Sequence, residues 1–219
     1  MRARPAAIAW VRGGFLALIL GAVCPVATGQ GTIVFQTPGQ PIYYAPTLIG
    51  SNNLDLNGDG VTDFALGFDL SRAYLVPQLS NSLVVIPTLP DVAPLNPGQT
   101  VSANPSSLDP TYRWYDPATD TSGLAFLGAQ AVFDGQLFYS GYWSGRDAFV
   151  GLRFQYGGET HYGWMEINNY VGVAAGQVLG WAYETRPDTP IFAGAVPEPS
   201  TLSLLLACGA ALWLVRKRL

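Results

Sequence analysis

The 219-residue chain has two cysteines, Cys24 and Cys208, one near each end. Residues 30–196 between them hold none, which excludes a disulfide framework and a thiolate metal site there. The same stretch has no lysine and one histidine, His161. A zinc centre needs several imidazole or thiolate ligands, and the stretch does not supply them. A Ser-His-Asp arrangement would have to use His161, and no serine stands in a nucleophile-elbow sequence. His161 instead reads as a solvent-facing strand residue beside a glycine-rich turn. No glycine-rich phosphate loop leads into a helix. Positive charge is scarce: five arginines (Arg72, Arg113, Arg146, Arg153, Arg186) against fourteen acidic residues give 5 − 14 = −9 for residues 30–196. Such a surface disfavours nucleic acid and anionic lipid and favours cations. No heptad and no long amphipathic stretch occurs outside the two ends.

What the chain does have begins with those ends. Arg2, Arg4 and Arg12 precede an apolar run from Gly13 to Val23, and small residues follow at Ala27 and Gly29. This is the order of a secretory signal peptide, with cleavage expected after Gly29. Cys24 invites a lipoprotein reading, but Val23 stands where that signal wants a small residue. At the other end, Thr201–Val215 is a run of 15 residues without a charge, followed by Arg216, Lys217 and Arg218. As a helix the run would rise roughly 22 Å against a hydrocarbon core of about 30 Å. That suits a short anchor with snorkelling basic residues. Arg216, Lys217 and Arg218 would stay on the cytoplasmic side and leave the body of the chain outside. Pro197 and Pro199 hold the junction extended. Three segments are expected: a signal peptide at 1–29, a folded ectodomain at 30–196 and a C-terminal signal at 197–219.

Pro197-Glu198-Pro199, the apolar run and the terminal Arg216-Lys217-Arg218 resemble the PEP-CTERM sorting signal of bacterial surface proteins. The resemblance covers about 23 residues. It implies processing by exosortase, a membrane protease or transpeptidase, in a Gram-negative-type bacterium that makes extracellular polysaccharide. The protein would be anchored in the inner membrane by its C-terminal helix before processing, and would end at the cell surface or in the extracellular matrix. Tyr162-Gly163-Trp164 and Gly180-Trp181-Ala182-Tyr183-Glu184 resemble a pattern common in cargo carrying this tail. Physically, they place Trp164 and Trp181 in the core, with Gly163 and Gly180 allowing close backbone approach.

The sharpest internal motif is Asp55-Leu56-Asn57-Gly58-Asp59-Gly60-Val61-Thr62-Asp63. Oxygen side chains recur at alternate positions, and Gly60 stands where a tight turn needs positive φ. Calcium takes six to eight hard oxygens, and this spacing aims them inward together. The expected ligands are the side chains of Asp55, Asn57, Asp59 and Asp63 and the carbonyl of Val61. An EF-hand would have a bidentate Glu where this chain has Leu66, and its flanks would be helical. The motif resembles instead the strand-linking calcium loops of integrin-like FG-GAP repeats, present here in one copy. The alternative is an Asx-rich turn without metal. Calcium here would be structural.

Strands are expected at Thr32–Gln36, Ile42–Tyr44 (an edge), Phe64–Phe68, Tyr74–Val76, Leu83–Ile86, Leu124–Phe133, Gln136–Tyr142, Ala148–Tyr156, His161–Asn168, Gln177–Glu184 and Ile191–Ala193. Val150, Leu152, Phe154 and Tyr156 share one strand face. Gly157-Gly158 turns the chain toward its partner strand. Eight prolines between Pro77 and Pro117 exclude a helix across that region, which reads as long connections wrapped over the sheet. The fold expected is all-β: an antiparallel β-sandwich flanked by a signal helix and a transmembrane helix.

The function expected is that of a non-enzymatic exported surface or matrix protein, associated with exopolysaccharide and stabilised by Ca²⁺. Two alternatives stay open. One is a carbohydrate-binding module using Tyr112, Trp114 or Trp143 as stacking platforms. The other is a polysaccharide hydrolase or lyase that pairs carboxylates from Asp134, Asp147, Glu159, Glu166 and Glu184.

Overall fold

The computed structural model describes residues 32–45, 49–86, 91–116, 119–120 and 124–197. The expected signal peptide, Glu198, Pro199, the apolar run and Arg216, Lys217 and Arg218 lie outside the described residues.

The described residues form fifteen strands, one short 3₁₀ turn at Pro105–Ser107 and no α-helix. In chain order the strands are β1 (Ile33–Gln36), β2 (Ile42–Tyr44), β3 (Gly50–Leu54), β4 (Phe64–Phe68), β5 (Arg72–Pro77), β6 (Ser82–Ile86), β7 (Asp91–Val92), β8 (Thr100–Val101), β9 (Arg113–Trp114), β10 (Ala125–Phe133), β11 (Gln136–Ser140), β12 (Asp147–Tyr156), β13 (Glu159–Asn169), β14 (Gly176–Glu184) and β15 (Ile191–Phe192). The fold is all-β, as composition and turn spacing imply.

Thirteen strands make one large sheet in the order β1-β14-β13-β12-β6-β7-β10-β5-β4-β3; β2, β9 and β11 pair with β14, β6 and β10. The sheet is mixed. Every strand pairing is antiparallel except β7 with β10, where Asp91 and Phe126 meet in parallel. The sheet curls upon itself. Leu54, Phe64 and Leu66 from β3 and β4 share one core with Val150, Phe154, Met165 and Trp181 from β12, β13 and β14.

The β12–β13 hairpin forms where the sequence places it. Tyr156 pairs with Glu159 across Gly157 and Gly158, both with positive φ. Such a two-residue turn follows the natural strand twist. Val150, Leu152 and Phe154 alternate into the shared core. The opposite face of these central strands is also covered. Phe149, Tyr162, Trp164 and Ala182 pack under Leu95, Val101, Ile191 and Ala193, and β8 pairs with β15 in a second small sheet. The proline-rich connection is therefore a lid on the central strands. Each large apolar side chain enclosed this way contributes about 1.5–3 kcal/mol.

The two tryptophans divide between the two cores: Trp181 lies in the shared core and Trp164 in the outer one. A Cβ on Gly163 would come within 2.6 Å of the Ala182 carbonyl oxygen, and one on Gly180 within 2.9 Å of that of Gln36. Both glycines serve close strand approach, as read from the sequence.

Candidate calcium loop

β3 and β4 are antiparallel neighbours, with Leu54 opposite Phe64, and residues 55–63 bridge them. The loop is built by its own side chains. Asp55 accepts from Gly58 N–H at 2.7 Å on Oδ1 and from Gly60 N–H at 2.8 Å on Oδ2. Asn57 Oδ1 accepts from Asp59 N–H at 2.9 Å, and Asp59 Oδ1 accepts from Val61 N–H at 2.8 Å. These local bonds hold four oxygens of three side chains toward their own backbone. Gly60, at φ 86°, supplies the left-handed step that the turn requires.

Asp63 behaves differently. It is 3% exposed. Its Oδ2 accepts from Leu56 N–H at 2.9 Å, and its Oδ1 from Asn81 Nδ2 at 3.1 Å. Burial, reinforced by the Asp59 and Asp55 charges, raises its pKa above the usual carboxylate range, while the Leu56 and Asn81 hydrogen bonds pull the other way. Asn81 carries the anchor onward: its Oδ1 accepts from Gln155 N–H on β12 at 2.9 Å. Trp181 Nε1–H donates to the Leu56 carbonyl at 3.2 Å. The inner end of the loop is thus tied to β12 and β14, while Gly58, Asp59, Gly60 and Val61 are exposed.

The donor chemistry suits a hard divalent cation. Three carboxylates and an amide oxygen stand on one loop, and the ion pairs among the described residues engage Asp69, Asp120 and Glu184 rather than these. Asn57 Nδ2 is buried without a hydrogen-bond partner; as a donor it offers a cation nothing, and only the Asn57 Oδ1 could be a ligand. The carboxylates do not converge as they stand: among the described residues no three His, Cys, Asp or Glu side chains come together closely enough to hold a metal. The reason is local, since both Asp63 oxygens already have donors. Asn81 was not foreseen as part of this site. It lies 18 residues from Asp63 and 74 from Gln155, and no local pattern marks such a contact.

The structure does not bring the expected aromatic platforms together. Trp143 is fully buried, and its Nε1–H donates to the Val92 carbonyl at 2.8 Å. Its ring is core and cannot face a sugar, which corrects the expectation for this residue. Trp114 is half-buried and stacks on Tyr162 at 6.0 Å, with the Arg153 guanidinium 5.0 Å from its ring centre. Tyr112 is partly buried against the same outer core, its pKa raised by burial and by Asp109.

His161 also departs from expectation. It is 3% exposed, with Nδ1 2.9 Å from the Glu184 carbonyl oxygen and the rings of Phe154 and Tyr156 beside it. A carbonyl only accepts, so Nδ1 carries the proton. The contact crosses from β13 to the end of β14, which a one-strand reading does not anticipate. Among the five carboxylates considered for hydrolysis, burial raises the Glu166 pKa and nearby Asp147 adds to the rise. Glu184 is buried and accepts from Arg186. Asp134 lies in the turn between β10 and β11, and Glu159 opens β13.

Among the described residues no helix is long and apolar enough to cross a membrane. Comparison with protein-family models, with curated proteins and with solved structures gives no match to this chain.

Proposed function

We propose that the chain is an exported bacterial surface or extracellular-matrix protein, sorted through its C-terminal tail by an exosortase-type enzyme and associated with exopolysaccharide. Residues 30–196 are the delivered body, read as a β-sandwich made by one curled, mixed sheet whose strands are antiparallel except where β7 meets β10. It is a structural component rather than a catalyst, and its net negative surface turns away nucleic acid.

The observation that carries this reading is the exit of the chain from the fold. Trp164 Nε1–H donates to the Ala195 carbonyl at 3.1 Å, and the next two residues, Val196 and Pro197, are exposed. The Pro-Glu-Pro motif therefore begins where the packed body ends, in backbone that a processing enzyme can reach. Changing Pro197, Glu198 and Pro199 together to alanine should leave the tail uncut and the protein in the membrane fraction. Equal release of variant and wild type would reject the sorting reading.

The loop at 55–63 is proposed to hold one Ca²⁺ through Asp55, Asn57, Asp59, the Val61 carbonyl and Asp63. Bound there, the ion would neutralise the clustered carboxylates. The chain's own residues shape the loop, with the Asx turns setting its path and Asn81, Leu56 and Trp181 fastening it to the core, and binding the ion would draw the carboxylates out of these bonds to converge on it.

A further inference from the structure

Past Ala129, strand β10 leaves β5 behind. Arg72 is the last β5 residue in register with it, opposite Ala129. From there β10 and β11 continue as a two-stranded arm, in register from Ala129 opposite Ser140 to Phe133 opposite Gln136. Asp134 (φ 51°) and Gly135 (φ 74°) close it. The base is fixed, because Tyr139 packs over Gly128 and donates its hydroxyl to the Leu127 carbonyl at 3.1 Å. The outer part is bare. Val132 is 71% exposed, Phe133 75%, Leu137 45% and Phe138 52%. Strand alternation puts Val132 and Leu137 on one face and Phe133 and Phe138 on the other. Both faces of the arm are therefore apolar, and an isolated two-stranded ribbon is marginal in water.

The arm also has an open edge. Among the described residues β11 pairs only with β10. The residues flanking a two-residue hairpin turn bond to each other, and alternate residues turn their backbone groups away. Leu137 and Tyr139 thus present N–H and C=O outward. Natural edge strands are usually guarded by charge, lysine or proline, yet Gln136–Tyr142 contains none of these.

Charge marks where a second copy can approach. With five arginines against fourteen acidic residues in 30–196, 5 − 14 = −9, two copies repel over most of their surface. The uncharged β11 edge is free of that repulsion. An antiparallel self-pairing about Phe138 sets Leu137 opposite Tyr139 of the second copy, both with backbone groups facing outward. It also sets Asp134 opposite Tyr142, which separates the two Asp134 side chains by eight residues along the ribbon. That is about 26 Å, against a Debye length of about 8 Å. Tip-first entry into a bilayer would instead carry Asp134 into the apolar layer, with no basic residue on the arm to meet lipid phosphate.

We propose that β11 is a homotypic pairing edge: two copies of this chain join antiparallel through Gln136–Ser140, centred on Phe138, and set Phe138 against Phe138 and Leu137 against Tyr139 across the seam. The test uses the full-length chain with Cys24 and Cys208 changed to alanine and Phe138→Cys or Gln136→Cys added, oxidised with copper phenanthroline and run on a non-reducing gel. Phe138→Cys should give a covalent dimer, which a further Leu137→Lys abolishes. Gln136→Cys, four residues from its counterpart in this register, should stay monomeric. Circular dichroism matching the parent chain establishes that each variant is folded. Folded Phe138→Cys that remains monomeric overturns the proposal. So does equal cross-linking at both positions, or a Phe138→Cys arm that cross-links only after capture on phosphatidylcholine vesicles. None of these readouts depends on export or tail processing.

Discussion

Asp63 and Asn81 are joined twice: the Asn81 amide donates to both the side-chain Oδ1 and the backbone carbonyl of Asp63, each at 3.1 Å. Through this pair a surface loop is bolted to the central strand β12.

Asn81→Ala should therefore destabilise the protein by about 2–4 kcal/mol, since it strips a buried carboxylate and the Gln155 N–H of a partner at once. Urea denaturation of wild type and variant measures it. A loss within the scatter of ordinary surface substitutions would show that the loop stands without this brace.

Calcium should raise the melting midpoint, because a ligand that binds only the folded state stabilises it by about 2.7 kcal/mol at a hundred times its dissociation constant. Asp59→Asn keeps the Oδ1 that accepts from Val61 N–H and removes a charge at an exposed position, so it should shrink the rise while leaving the calcium-free midpoint close to that of wild type. A midpoint indifferent to millimolar calcium removes the metal from the account.

Acidity supplies a third expectation. The Asp63 pKa is raised above its ordinary 3.8 in the folded state, so the folded state favours its protonated form. In chelator, the stability associated with Asp63 is full below the unfolded value and is lost as pH climbs through the folded one. Burial shifts Asp91 and Glu166 in the same direction, while Asp69, Asp109 and Asp120 are held below their ordinary values and contribute the opposite slope, so the Asp63 share is the difference in pH slope between wild type and Asp63→Asn. Calcium needs the Asp55, Asp59 and Asp63 carboxylates ionised, so its stabilising effect should grow as pH rises through the carboxylate range. Scanning calorimetry across pH, with and without calcium, distinguishes the two slopes.

Trp143→Phe should cost about 1–3 kcal/mol, the penalty for leaving the buried Val92 carbonyl unpaired, and should leave any polysaccharide binding unchanged. Trp114→Ala is the complementary variant: it removes a half-buried ring, so a carbohydrate role would show as lost retention on the host's own polysaccharide.

Local chemistry explains what the sequence made readable. The β12–β13 hairpin was legible because Gly157-Gly158 and the alternation of Val150, Leu152 and Phe154 are neighbours in the chain. The Asp55–Asp63 loop was legible for the same reason. β3 was not, because Gly50-Ser51-Asn52-Asn53-Leu54 carries little apolar pattern and owes its strand to pairing with β4. Neither was the parallel meeting of Asp91 with Phe126, where a two-residue strand has no periodicity to show. His161 and Trp143 were misplaced on the same ground: Glu184 and Val92, the residues that satisfy them, are 23 and 51 positions away.

The indole of Trp164 gives the domain a mechanical character. It grips the chain at Ala195, two residues ahead of Pro197, and it belongs to β13, which is zipped on both sides by β12 and β14. Tension from Pro197 would run along the backbone into the two-residue strand β15 and its pairing with β8 before it reached β14. The indole is thus a single catch at the rim, and the small outer sheet would unzip before the central strands carried any load.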